Sequence, residues 1–394
     1  MTSDAPPISK TAVTGDFQTG RVLTLSGAHA VHDTYTAFLP PMLPVFIENL
    51  AMSRTEAGLL TVFNQGPSLL QPVIGHLSDH LSLRLLVILA PGITATTMSL
   101  LGVAPSYVIL AFFLTIAGLS SAALHAIAPV MAGRLSGPKL GQGMSFWMVG
   151  GEIGRFLGPL VIVAAISWLG LTGTPWLMIG GWVTTALLLF RLKDVPARAP
   201  GAAPALPWRA ALRAMSPVLV PLTGIVVIRG FTSASLTTFL PVFLTEEGAE
   251  LWFAGISLSV LEAAGVVGAL LGGTLSDRLG RRTMLFFSMA FTPVFMFAFV
   301  YASDMLRFPL LLLLGLAAIS ITPVIMAIVQ ESVPENRALA NGVYMSVNFA
   351  IRSVIVVIVG ALGDAWGMRA AFLFSAAIPL IGLPLLRFLP NNRG

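Results

Sequence analysis

The sequence contains no cysteine and little charge. The absence of cysteine excludes disulfide bonds and metal sites built on thiolates. Aspartate, glutamate, lysine and arginine make up 10% of the 394 residues, whereas 56% are hydrophobic and the mean hydropathy is +0.88. Soluble proteins carry about a quarter charged residues, which cover the outside of the folded chain. The shortage of charge therefore predicts a chain that folds in lipid.

The positive charge that is present is not concentrated on one face. The net charge is +5, but the basic residues are scattered over short loops, unlike the basic stripe of a nucleic-acid-binding protein. We therefore expect no nucleic-acid partner. Residues 1–20 are polar and lack the apolar core of a cleavable signal peptide, so we expect the first hydrophobic segment to be retained.

Long apolar runs dominate the rest of the chain. A helix needs about 20 residues to cross a bilayer. Twelve segments have this length and character: 22–47, 56–77, 84–103, 106–132, 142–168, 174–192, 217–244, 251–274, 283–302, 307–329, 341–363 and 368–389. The sequence therefore predicts an all-α membrane protein with twelve transmembrane helices.

The loops between these segments differ in positive charge. Loops on the side of the two termini contain sixteen lysines and arginines, whereas the opposite side has only Arg54, Arg307 and Arg369. Loops rich in lysine and arginine remain in the cytoplasm. We therefore expect a multi-pass protein of a bacterial-type inner membrane with both termini in the cytoplasm.

The second half of the chain repeats the first. Residues 75–84 read GHLSDHLSLR and residues 273–282 read GTLSDRLGRR, so six of ten positions agree at an offset of 198. A second repeated motif occurs at residues 36–40 (TAFLP) and 237–241 (TTFLP). We predict a cytoplasmic tail at 1–20, an N-terminal six-helix bundle at 21–193, a proline-rich cytoplasmic linker at 194–215 and a C-terminal six-helix bundle at 216–394. Repeats of this kind enclose a substrate site near the middle of the membrane.

The repeated decapeptide resembles the cytoplasmic signature of the major facilitator superfamily, Gly-x-Leu-x-Asp-Arg-x-Gly-Arg-Arg. The resemblance implies two pseudo-symmetric six-helix bundles, the major facilitator fold, and transport by alternating access. An aspartate at a helix end beside loop arginines can form a charge-assisted latch between the halves, the alternative being that the arginines only set topology. The candidate latch residues are Asp79, Arg84, Asp277, Arg278, Arg281 and Arg282. The first copy departs from the signature at His80 and at residues 82–83, so we expect a weaker latch there.

Glycines recur every four residues in the fifth segment, at Gly150, Gly154 and Gly158, and Pro159 follows them. They lie on one helix face, where the lack of side chains permits close packing against a neighbouring helix. The run also resembles, incompletely, the antiporter signature that exporters carry in this helix. Helix packing and an exporter signature are alternative explanations of the same residues.

Shorter motifs resemble the fosmidomycin-resistance branch of drug exporters. They are residues 26–33 (SGAHAVHD), 69–75 (LLQPVIG), 124–125 (LH), 150–151 (GG), 157–159 (LGP) and 388–393 (FLPNNR). The resemblance implies efflux of a small phosphonate antibiotic. Glu152 and Arg155 stand where neutral residues are expected in that branch, so its substrate does not carry over directly.

Ionisable residues within the predicted spans indicate a polar cavity. Each costs about 2.5–3.5 kcal/mol at the centre of a membrane helix. Six charged residues lie deep in the spans, joined by three histidines: Asp33, Glu152, Arg155, Arg229, Glu262 and Arg352, with His29, His32 and His125. Their retention predicts that they face one another or a water-filled space rather than lipid.

One helix face carries the predicted proton site. His29, His32 and Asp33 stand at i, i+3 and i+4 in the first segment. Titratable groups in contact can exchange a proton, so we predict that Asp33, His29 and His32 couple transport to protons, with Glu152 as a further candidate. The alternatives are a satisfied buried pair of Asp33 and His32 and a structural ion pair of Glu152 and Arg155.

Buried arginines suggest an anionic substrate. Arg229 and Arg352 have no acidic residue on their own helix faces, so they either bind an anion or pair across helices with Glu152 or Glu262. The predicted substrate-binding residues are Arg155, Arg229, Arg352, Asn348, Tyr344 and His125. For His125 the alternative is a packed polar residue.

Together these features predict a proton-coupled antiporter that exports a small anionic or amphiphilic compound. It would use the proton gradient, without a cofactor or a metal, and we expect a monomer. The alternative is an importer of an organic anion, proton-coupled or facilitative, which the same arginines would suit. The sequence offers no nucleophile motif, metal-ligand motif or soluble domain in support of a membrane enzyme or a receptor.

Overall fold

The computed structural model describes residues 16–81, 83–193, 208–332 and 337–389. This part of the chain is built of helices joined by short turns, which confirms the all-α prediction. The helices are α1 Thr19–Thr36, α2 Leu39–Asn49, α3 Arg54–Gln65, α4 Gln71–His80, α5 Arg84–Ser99, α6 Tyr107–Leu135, α7 Leu140–Leu169, α8 Met178–Leu192, α9 Trp208–Thr237, α10 Leu240–Glu246, α11 Leu251–Leu279, α12 Arg281–Tyr301, α13 Asp304–Leu314, α14 Thr322–Ser332, α15 Arg337–Trp366 and α16 Met368–Gly382.

Ten helical segments of the described chain are long and apolar enough to cross a membrane. The other two predicted spans are each divided into two helices, α1 with α2 and α3 with α4. Proline explains both divisions, because α2 has Pro at its start and the turn between α3 and α4 contains Pro67. Proline has no backbone N–H and ends or kinks a helix.

The internal repeat is visible in these breaks. The first span breaks after Thr36 and resumes at Leu39, and the seventh breaks after Thr237 and resumes at Leu240. These are the two places where the sequence repeats the pattern T-x-F-L-P. Repeated local sequence thus gives repeated local geometry in the two halves.

The predicted linker falls mostly outside the described residues. Of the range 194–215, residues 208–215 are described, and they form the start of α9. The segment before Pro217 is therefore helical, because a helix accommodates its alanine, leucine and arginine residues well.

Three cores show how the halves meet. With six spans in each half, the near end of the molecule carries Thr19, Leu192, Trp208 and Phe388, and the far end carries the turns after Asn49, Glu246 and Trp366. One core joins both halves towards the far end and includes Phe38, Met42 and Leu43 with Phe239 and Phe243. The other two cores each draw their described residues from a single half, and they lie towards the near end. The halves are therefore joined at the far end and separate towards the near end.

Polar contacts close the far end across the two halves. The Asp364 carboxylate of α15 accepts hydrogen bonds from the backbone N–H groups of Arg54 and Thr55 at 2.7 and 2.9 Å. These N–H groups belong to the first turn of α3, which has no intrahelical partners for them. The Arg54 side chain also pairs with Glu246 of α10, with Nε 2.7 Å from Oε1. A carboxylate of one half thus caps a helix of the other.

Candidate transport site between the two halves

Asp33 lies at the centre of a cluster of three histidines. Its Oδ1 is 2.9 Å from His32 Nδ1 and 3.6 Å from His125 Nε2, and its Oδ2 is 3.3 Å from His29 Nε2. The Nε2 atoms of His29 and His125 are 3.1 Å apart. The group is buried, except that the His125 side chain is 29% exposed. Residues of α1 and α6 thus form one compact polar site.

Backbone carbonyls fix the orientation of two of these rings. His29 Nδ1 lies 2.8 Å from the carbonyl oxygen of Trp147, and His125 Nδ1 lies 2.9 Å from that of Ser121. A carbonyl oxygen only accepts hydrogen bonds, so both Nδ1 atoms carry the proton and donate it. The His29 ring also stacks on Trp147, with centroids 3.8 Å apart. Each Nε2 atom consequently points into the cluster.

The glycine stripe of α7 brings this helix close to the cluster. A Cβ atom at Gly151 would lie 2.6 Å from His29 Cε1, and one at Gly154 would lie 2.7 Å from Asp33 Cβ. Both distances are shorter than real Cβ contacts, so any side chain here would push α7 away from α1. Of the two explanations for these glycines, the structure provides direct support for helix packing.

Charged residues of both halves meet at the point where the halves begin to separate. Arg155 of α7 pairs with Glu152 on its own helix, and its Nε lies 3.9 Å from Glu262 Oε2 of α11. The Arg155 side chain is 45% exposed and also interacts electrostatically with Asp33 and His125. Arg155 therefore lies between the histidine cluster of one half and an acidic residue of the other.

The two remaining arginines have different surroundings. Arg229 donates from Nη2 to the carbonyl oxygen of Ala318 at 2.6 Å, in the π-helical turn Gly315–Ile319. Arg352 donates from Nη2 to the Thr237 hydroxyl at 2.8 Å, while its buried Nε has no partner among the described residues. Arg352 interacts with Glu262 only at longer range. Arg352 is thus the more weakly satisfied of the two.

The other predicted substrate residues are less central. Tyr344 is buried in the near-end core of the second half and interacts electrostatically with Arg229. Asn348 is half-buried on the same helix. The face that the sequence assigns to Tyr344, Asn348 and Arg352 therefore extends from that core towards the gap between the halves.

The predicted latch residues form contacts within their own halves. Asp277 Oδ1 lies 2.6 Å from Arg281 Nη1, and Arg281 Nη2 lies 3.0 Å from Glu331 Oε1. Arg84 donates to the backbone carbonyl of Lys193. Arg278 is exposed, Arg282 lies beside Arg387 at the surface, and the side chain of Asp79 falls outside the described part. In this structure, open at the near end, the described motif residues do not bridge the halves.

Several residues at the site and the far end were not identified from the sequence. Trp147 and Ser121 orient the histidine rings through backbone carbonyls, which leave no residue-specific signal, and the Trp147 ring also stacks on His29. Arg54, Glu246 and Asp364 close the far end, and of these only Arg54 is identified from the sequence, as a loop residue. The sequence does not show that Asp364 of one half caps a helix of the other half, because this contact depends on how the two halves pack together.

The fold and the site define a class of protein. Two six-span halves joined at one end, with buried charges where they part, form a polytopic membrane transporter. Residues 25–354 match the family model of the Major Facilitator Superfamily, and the chain belongs to this family.

Similar proteins agree with this assignment. The chain is 25% identical over 376 residues to the "Uncharacterized MFS-type transporter YfnC" of Bacillus subtilis, covering 93% of this chain and 91% of the relative. It is 23% identical over 380 residues to the "Fosmidomycin resistance protein" of Escherichia coli, covering 94% and 92%. Among solved structures, an inward-facing bacterial homologue of the human lysosomal transporter Spinster superposes with a TM-score of 0.80 at 15% identity, covering 97% and 98%. The resemblance to the superfamily is confirmed.

Proposed function

We propose that the protein is a secondary active antiporter of the bacterial inner membrane that exports a small anionic or amphiphilic compound in exchange for protons. Arg352 is the observation that carries the anionic part of this proposal. Its side chain is half-buried, has only a hydroxyl as partner for Nη2 and leaves the buried Nε atom unsatisfied in the described structure. A cation without an ion pair inside a membrane span is costly, and an anion bound beside it removes that cost.

The position of Arg352 suits alternating access. It stands on α15 of the second half, and Arg155 stands on α7 of the first half, with Glu262 interacting with both. An anion between the two guanidinium groups would contact both halves at once. Such a ligand favours the state in which the halves approach each other, and differential binding of this kind drives a change of conformation.

The similarity to the fosmidomycin resistance protein, over nearly the whole chain, supports export. It does not extend to the substrate, because Glu152 and Arg155 add charge beyond the resemblance. The assignment of the proton to Asp33, His29 and His32 stays a prediction.

A second candidate is the import of an organic anion together with a proton. The Arg155–Glu262 contact favours it: protonation of Glu262 would release Arg155 to bind an anion, so that proton and anion bind together. In an antiporter, proton and substrate must instead exclude each other. The direction of the proton change on substrate binding therefore separates the two functions.

The experiment begins with a ligand screen on the purified protein. Phosphonates, organic acids and cationic drugs are tested for an increase in thermal stability, because a ligand that binds the folded state stabilises it. We expect stabilisation by an anionic compound, with loss of the effect in Arg352→Gln and retention in the far-end variant Arg369→Gln. Stabilisation by cations alone would contradict the anionic substrate.

The same ligand is then added to the protein in weakly buffered solution. An antiporter releases protons when it binds substrate, so we expect acidification. Proton uptake would instead support the symport of an anion.

A further inference from the structure

We propose that His29, Asp33 and His125 form a binding site for a divalent transition-metal ion of the zinc class. One ligand atom from each residue lies within 4.8 Å of the other two, in a buried group shared by α1 and α6. The sequence predicts no metal, since it contains no metal-binding motif, and the outermost ligands of this site are 96 residues apart in the chain.

The spacing of the ligand atoms fits a tetrahedral ion. Zinc bonds nitrogen and oxygen at about 2.0–2.2 Å, which places the ligand atoms of a tetrahedron about 3.3–3.5 Å apart. The three observed separations are 3.1 Å between the two Nε2 atoms, 3.3 Å from His29 Nε2 to Asp33 Oδ2 and 3.6 Å from His125 Nε2 to Asp33 Oδ1. Asp33 presents a different oxygen to each histidine, so a rotation of its carboxylate is needed to bring one oxygen into contact with the ion that both Nε2 atoms bind.

The chemistry of the cluster calls for a cation. Both Nδ1 atoms donate to backbone carbonyls, so in the neutral rings both Nε2 atoms present lone pairs. These lone pairs face each other and the Asp33 carboxylate, and four acceptor atoms without a hydrogen between them repel one another. A metal ion bound by both Nε2 atoms and one carboxylate oxygen replaces this repulsion with coordination bonds.

The outer contacts are those of a metal site. Ligating histidines in metalloproteins donate their second ring N–H to a carbonyl or a carboxylate, which fixes the ring. His29 and His125 both do so here, and His32 contacts the Asp33 carboxylate at 2.9 Å, which fixes its direction.

The donor set selects the ion. Two imidazoles and one carboxylate suit zinc, cobalt or nickel, whereas calcium and magnesium prefer oxygen ligands alone. The fourth position remains for water on the side of His125, the most exposed of the three side chains. The charge of Arg155 opposes a second cation nearby, and Glu152 and Glu262, both in contact with Arg155, offset that charge.

The test uses the full-length protein without a polyhistidine tag, stripped with EDTA. Calorimetric titration with Zn²⁺ should give one ion per chain, and Co²⁺ should give the intense visible absorption of tetrahedral coordination. His29→Gln, Asp33→Asn and His125→Gln should each lower the Zn²⁺ affinity by at least about 100-fold, beyond the 10–100-fold typical of outer contacts.

Ser121→Ala is the matched control. It removes a hydroxyl 3.2 Å from His125 Nδ1 but keeps the carbonyl that orients the ring. We expect its Zn²⁺ affinity to stay within about tenfold of wild type.

The melting temperature of each metal-free protein shows whether the variant is folded. The Co²⁺ spectrum of the wild type tests the coordination geometry without any substitution. Absence of Zn²⁺ uptake by the folded wild type would mean that the cluster holds a proton only and would overturn the proposal. Equal uptake by folded ligand variants, or an octahedral Co²⁺ spectrum, would overturn it as well.

Discussion

The charged residues inside the membrane spans differ in how completely their neighbours satisfy them. Asp33 meets ring nitrogens of three histidines, and Arg155 meets two glutamates. Arg229 has a backbone carbonyl, whereas Arg352 has one hydroxyl and an unsatisfied Nε in the described structure. The better satisfied residues gain little from an anionic ligand. Arg352 gains most, which is why it carries the proposal of an anionic substrate.

Glu247 provides a test of charge at the far end. The pKa of Glu247 is held below its ordinary value, chiefly by the hydrogen bond from Arg369 and further by Arg307, against the opposing effect of burial. A lowered pKa stabilises the fold above the pKa of the unfolded chain, and this contribution is lost as the pH falls through the lowered value. Glu247→Gln should therefore lower the melting temperature at pH 7 by the equivalent of about 0.2–1 kcal/mol.

The difference in melting temperature between wild type and Glu247→Gln should disappear as the pH falls below about 4. Thermal unfolding in detergent from pH 7 to acid measures it, with the exposed Glu48→Gln as control. A difference that stays constant with pH would show that the ionised carboxylate contributes nothing.

At the scale of elements, periodicity predicted faces but not neighbours. Apolar length predicted the spans because the bilayer thickness sets it, and the 3.6-residue period placed His29, His32 and Asp33 on one face. His125 was predicted as a separate substrate residue, because only the packing of α6 on α1 brings it within 3.6 Å of Asp33. Likewise, the motif arginines predicted a latch, yet partners such as Glu331 depend on the conformation.

Close packing of α7 on α1 can be tested with a single methyl group. Gly154→Ala places Cβ against Asp33 Cβ and the backbone of Thr34, and overpacking of this kind costs about 1–3 kcal/mol. Gly141→Ala, in the same helix, meets nothing within 4 Å and should be neutral or stabilising. We expect a lower melting temperature and impaired transport for Gly154→Ala alone. Equal melting temperatures for the two variants would contradict the packing.

The cross-half cap at the far end makes a second prediction about elements. Asp364→Ala removes both acceptors for the first N–H groups of α3, a loss of about 0.5–2 kcal/mol from this closed end. The population with an open far end should rise by about 2–30-fold. Because the chain has no cysteine, spin labels at Glu48→Cys and Glu250→Cys can report the distance across the far end.

The matched control is Asp304→Ala, since Asp304 pairs with Arg307 inside the second half. We expect the distance distribution to broaden towards longer values for Asp364→Ala and to stay unchanged for Asp304→Ala. The same distribution for both would remove the gating role of Asp364.

At the scale of the whole molecule, the structure is joined at the far end and divided at the near end. The loop charges predict that the near end faces the cytoplasm, so this conformation would open inwards. A fluorescent protein fused after Gly394 should be bright and alkaline phosphatase at the same site inactive, whereas phosphatase inserted at Gly248 should be active. The reverse pattern would invert both the topology and the side to which the site opens.

The shared far-end core also bears on how the chain must be connected. The contacts described between the halves do not involve residues next to the segment 194–207. Examples are the contact of Arg54 with Asp364 and the packing of Phe38 and Phe239 in the shared core. In lipid, such halves associate through packing and hydrogen bonds between helices rather than through the tether that joins them. Two separately synthesised polypeptides, divided within that segment, would therefore assemble in the membrane as a heterodimer and restore the complete transporter.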